Sequence, residues 1–131
     1  MKLGTFLATT TLAGALVLGI SYNNGYLGFR NNTERLRAEQ TAKTAREFVS
    51  NYGGYQQLQK EGKTEEAGQK LKETFQLQWE FLGEFSQLDE LAKREGKDYT
   101  QLLDQYEAQA VQKAYELNYS SSAEIAGGLL K

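Results

Sequence analysis

No proline occurs in the 131 residues of this chain. Proline breaks a helix interior by removing a donor and clashing with the preceding turn, so its absence suits long uninterrupted helices. Apolar residues recur at alternating steps of three and four along much of the sequence, the period of a helix with one buried face. The expected class is all-α: a single N-terminal transmembrane helix followed by a small antiparallel bundle of about three helices.

Residues 3–21, LGTFLATTTLAGALVLGIS, carry no charge. About 20 apolar residues at 1.5 Å rise cross a hydrocarbon core of ~30 Å, and this stretch just reaches that length. Tyr22, Tyr26 and Phe29 follow, then Arg30, the order expected where a helix leaves lipid through an aromatic interfacial belt. Gly4 and Ala8, and then Thr11, Ala15 and Gly19, repeat at a spacing of four. Such a strip of small residues lets two membrane helices approach closely and is read as a helix-packing surface. Lys and Arg counts on the two sides place the remaining domain on the cytoplasmic or matrix side.

An alternative fate for the same segment is export. Met1 and Lys2 form a short positive start, and Gly19 and Ser21 are small residues at −3 and −1 before Tyr22. Cleavage after Ser21 would release a secreted or periplasmic helical protein. The apolar stretch exceeds the roughly 7 to 15 residues usual in a signal peptide, which favours an anchor.

The chain then divides into a Gly/Asn-rich neck at 22–32, a helical domain at 33–119 and a flexible tail at 120–131. Asn32 or Thr33 caps a first helix whose apolar seam is Ala38, Ala42, Ala45, Val49 and Tyr52. Gly53 and Gly54 are expected to end it, with a short helix from Tyr55 closed by Gly62. A long helix capped near Thr64 carries two adjoining stripes. One is Ala67, Leu71, Phe75, Trp79 and Leu82, and the other is Leu77, Phe81, Phe85 and Leu88. Gly96 closes it, and Asp98 with Gln101 forms a capping box for a last long helix bearing Tyr99, Tyr106, Tyr115 and Tyr119.

Composition narrows the chemistry. The chain has no histidine and no cysteine, which removes the commonest general base, the commonest transition-metal ligand and any thiolate site. The many glutamates pair with Lys or Arg at i+4, as in Glu66 with Lys70 and Glu90 with Arg94, the pattern of a solvated helix face. A formal charge of −2 offers no basic field for nucleic acid, and no glycine-rich phosphate loop lies between a strand and a helix. No cofactor, metal site, catalytic residue or small-molecule substrate is expected. Asn31 and Asn118 head N-glycosylation acceptor patterns at positions that read as loops.

What remains is a surface. The doubled stripe gives the long helix more apolar girth than a surface helix needs. Phe75, Trp79, Phe81, Phe85, Tyr99 and Tyr106 are therefore candidates for core or partner contact. The expected function is that of a non-enzymatic, single-pass accessory or scaffold subunit. It would dock onto a larger membrane assembly through its membrane helix and helical domain, with membrane lipid and other subunits as partners.

Overall fold

The computed structural model describes residues 30–129. The expected membrane helix at 3–21, the expected packing strip from Gly4 to Gly19 and the expected interface residues Tyr22, Tyr26 and Phe29 lie outside the described residues. Two compact units divide the chain at Asn32, and the bundle is the second. Among the described residues the fold is all-helical, with three long helices and no strand. They are α1 (Asn32–Lys60), α2 (Thr64–Arg94) and α3 (Gln105–Leu129), with a single 3-10 turn at Tyr99–Leu102 before α3. None of these helices is long and apolar enough to cross a membrane.

Cross-helix contacts fix an up-down-up order. Gln40 meets Glu84 at one end of the α1–α2 pair and Asn51 meets Thr74 towards the other, so those helices are antiparallel. Phe85 against Tyr115 and Gln78 against Asn118 make α2 and α3 antiparallel as well. Tyr52 against Glu124 then leaves α1 and α3 parallel.

Both tight turns end their helices on a left-handed glycine. Gly62 has φ 75° and Gly96 has φ 69°, conformations that cost a residue with a Cβ far more than glycine. Around Gly96 the amide of Lys97 donates to the Ala92 carbonyl and that of Gly96 to Lys93. Around Gly62 the amide of Lys63 donates to Leu58 and that of Gly62 to Gln59. These paired bonds satisfy carbonyls that a helix end would otherwise leave orphaned.

Three local expectations are corrected. First, α1 runs straight through Gly53 and Gly54. Each glycine costs a helix about 1 kcal/mol, but the flanking Tyr52 and Tyr55 are buried, and a buried side chain of that size contributes about 1.5–3 kcal/mol. Tertiary burial outweighs local propensity.

Second, the Asp98–Gln101 capping box exists but caps the 3-10 turn. The start of α3 has its own reciprocal pair: the Glu107 amide donates to Asp104 Oδ1 at 2.8 Å, and the Asp104 amide donates to Glu107 Oε1 at 2.9 Å. At the head of α2, Thr64 is the first helical residue, and Lys63 at the cap position makes no side-chain bond.

Third, α3 continues to Leu129 where a flexible tail is expected from residue 120. The hydroxyls of Ser120 and Ser121 donate back to the Leu117 carbonyl, at 3.3 and 2.6 Å, as serines inside a continuing helix do. Ile125 is fully buried and holds the last turns to the bundle.

The core is centred on Phe48, Phe81, Leu88, Leu102, Val111 and Ile125, with Phe48 and Phe81 stacked at 6.3 Å. The small seam Ala38, Ala42 and Ala45 is completely buried and is spent within the bundle. The midline of α2 falls between the two predicted stripes, on Leu71, Thr74, Gln78, Phe81 and Leu88. Two of these are polar, and both find partners: Asn51 Nδ2 donates to Thr74 Oγ1 at 3.3 Å, and Gln78 Nε2 donates to Asn118 Oδ1 at 2.6 Å. Buried polar groups are tolerated when bonded in this way.

Candidate functional site

Burial separates the aromatic candidates. Phe81 is core, at 0% exposure. Phe75, Phe85 and Tyr99 are half-buried against that core. Trp79 is 62% exposed and Tyr106 is 77% exposed. Arg30 lies two residues before the start of α1 and is half-buried.

The direction in which Trp79 points follows from helix geometry. Gln78 and Asn118 face each other between α2 and α3. One residue further on, each helix has turned by about 100°. Because the two chains run in opposite senses, both turns go to the same side. Trp79 and Tyr119 therefore emerge together. The α1 partners Thr74 and Glu84 lie on the other side of Gln78, so this face looks away from α1.

Ring contacts extend the face along both helices. Phe75 and Trp79 meet edge-on at 6.1 Å on α2. Tyr115 and Tyr119 are 6.0 Å apart on α3, and Phe85 touches Tyr115 at 5.4 Å. Phe85 also packs edge-on against Tyr99 at 4.8 Å and tilts against Phe81 at 5.9 Å. A continuous aromatic path thus leads from the core at Phe48 to the surface at Tyr119, which is 79% exposed. Tyr106 is not part of it. Thirteen residues before Tyr119, it is turned about 140° to another side of α3.

The residues around these rings carry no charge over several turns. On α2, Leu82, Gly83 and Ser86 continue the stripe, and on α3 Ser122, Ala123 and Ala126 do so. Lys72 and Glu90 mark its two ends on α2, while Glu80 and Glu116 stand exposed along its edges.

Two phenols among the described residues are shifted furthest from their ordinary value. Burial pushes the Tyr99 phenol up to about 12, with the negative charge of Asp98 adding to it. Burial also pushes Tyr52 up to about 12, helped by its hydrogen bond to Glu124. Phenols so shifted keep their protons well above neutral pH and take part as neutral hydroxyls. Among the described residues no group of three or more acidic side chains is placed to hold a metal ion. Two open grooves of about 410 Å³ each occur. One is lined by Thr64, Glu65, Leu71, Lys72 and Leu129, the other by Glu47, Asn51, Glu73, Leu77 and Glu80.

Of the predicted ion pairs, Glu90 with Arg94 forms at 3.8 Å, whereas Lys70 turns to Glu73 at 3.7 Å in place of Glu66. Asn118 lies within α3 with its carbonyl oxygen bonded to Gln78. The loop expected at this acceptor pattern is absent. Tyr115 and Tyr119 are the residues whose role sequence periodicity leaves unassigned, since only the Gln78–Asn118 register puts them beside Trp79. No known protein family, curated protein or solved structure matches the chain.

Proposed function

We propose that this chain is a non-enzymatic, single-pass membrane accessory or scaffold subunit. Residues 3–21 serve as its anchor, and the helical bundle stands on the cytoplasmic or matrix side. The bundle contributes binding surface rather than chemistry. The observation that carries this reading is the aromatic face on which Trp79, Tyr115 and Tyr119 stand exposed beside the half-buried Phe75. Large exposed aromatics clustered on one face mark interaction surfaces. Support also comes from the uncharged stretch of spanning length that precedes the bundle, and from the lack of histidine and cysteine. Membrane lipid and the other subunits of a membrane complex are the partners that fit these features.

Alkaline extraction of membranes containing the full chain, followed by N-terminal sequencing, tests the proposal. Retention in the membrane with Met1 as the first residue is the expected result. Release into the supernatant with Tyr22 at the start would establish an exported helical binding protein in its place. Replacing Ala15 or Gly19 by leucine is expected to weaken co-purification of partner subunits while leaving insertion intact.

A further inference from the structure

We infer that the aromatic face of α2 and α3 seats on the zwitterionic headgroup layer of the bilayer, so that the bundle lies along the membrane. This inference rests on the anchor reading of residues 3–21 and names what the aromatic face meets.

Reach comes first. Ten residues, 22–31, separate the apolar stretch from α1, and ten residues extend at most about 35 Å. The start of α1 and the end of α2 share one end of the bundle, where Lys97 pairs with Glu34 at 3.7 Å. Trp79 lies fifteen residues from Arg94 along α2, about 22 Å at 1.5 Å per residue. A bundle tethered at that end reaches the bilayer with this face, and tethering makes the lipid the surface at highest local concentration.

Side-chain chemistry comes second. Tryptophan and tyrosine join an apolar body to a polar tip, and both concentrate at membrane–water interfaces. The uncharged floor of Leu82, Gly83, Ser86, Ser122 and Ala126 permits shallow burial without desolvating an ion.

Charge selects the lipid. The edges carry Glu80 and Glu116, and no basic cluster lines the face. Anionic headgroups gain nothing here. The ammonium end of a zwitterionic headgroup is suited to the π-faces of Trp79 and the tyrosines and to the flanking carboxylates.

Trp79 is the sole tryptophan, so its emission reports on this face alone. The experiment uses the full chain reconstituted in phosphatidylcholine vesicles, with and without bromine on the acyl chains. Expected are flotation with the vesicles, strong quenching by bromine placed near the headgroups and weak quenching by bromine at the chain ends. Protection of Trp79 from aqueous iodide should be unchanged by high salt. Tyr119→Ser, at an exposed position and with unchanged helical circular dichroism, should restore iodide access by several-fold. A chain that floats while Trp79 stays open to iodide and indifferent to bromine overturns this inference and leaves the anchor standing. Failure to float overturns both. Protection that grows with protein concentration and ignores bromine assigns the face to another protein copy, and also overturns it.

Discussion

Gln78 of α2 donates a 2.6 Å hydrogen bond to Asn118 of α3, and the residues that follow them, Trp79 and Tyr119, stand exposed on the same side of the bundle. One buried polar contact therefore sets the register of the surface beside it. Slipping α3 by one residue would carry Tyr119 about 100° away from Trp79.

Breaking that contact should cost more than its bond energy suggests. Gln78 is only 4% exposed, and Gln78→Ala leaves the half-buried carbonyl of Asn118 without its donor. A loss of about 1–3 kcal/mol is expected in urea unfolding followed by circular dichroism. The double replacement Gln78→Leu with Asn118→Leu should recover part of it, because two apolar groups leave nothing unsatisfied.

The glycines divide by what surrounds them. A Cβ on Gly128 would overlap the Cδ2 of the buried Leu71, so Gly128→Ala forces Leu71 to move. Overpacking of this kind costs about 1–3 kcal/mol, which meets or exceeds the ~1 kcal/mol gained in helix propensity. Gly83 has open space where its Cβ would sit. Gly83→Ala should therefore raise stability by about 0.5–1 kcal/mol in the same urea series.

Alkaline pH should weaken the fold through two phenols. Tyr52 and Tyr99 are raised to about 12 from the ordinary 10.0. The unfolded chain releases these protons first, so the stability they contribute is complete below about pH 10 and is lost as pH rises through about 12. Tyr52→Phe and Tyr99→Phe should each flatten the fall in melting temperature between those limits, measured against the parent at each pH.

The two capping boxes should differ in weight. Asp104→Ala removes the acceptor for the Glu107 amide at the head of a 25-residue helix. It should cost about 1 kcal/mol and speed amide exchange in the first turn of α3. Asp98→Ala frees only a four-residue turn, and its effect should be smaller and confined to exchange near Tyr99.

Trp79 and Phe81 are neighbours in sequence with opposite roles. Phe81→Ala opens a cavity in the core and should cost about 3–5 kcal/mol. Trp79→Ala removes a largely exposed ring and should change stability by under about 0.5 kcal/mol. Urea midpoints of the two variants compare them directly.

Much of this was legible in the sequence. The helical class, the stops at Gly62 and Gly96 and the buried seam of Ala38, Ala42 and Ala45 all follow from local causes: period, left-handed glycine and small side chains. Asp104 with Glu107 was equally readable as a second capping box, three residues apart before an apolar period. Asp98 with Gln101, earlier in the same stretch, satisfied the pattern first.

Tertiary structure alone decided which side of α2 faces inward. Two adjoining apolar stripes have the same period, and periodicity cannot choose between them. The choice fell between them because α1 and α3 flank α2 with Asn51 and Asn118, which bond to Thr74 and Gln78 on the midline. That rotation buried Phe81 and turned Trp79 outward. It equally carried α1 through Gly53 and Gly54 and α3 on to Leu129, where burial of Tyr52, Tyr55 and Ile125 outweighs local propensities worth about 1 kcal/mol per residue. Sequence determines where a helix favours starting and stopping. Only the packed neighbours determine which face is covered, because that energy belongs to contacts between residues distant in the chain.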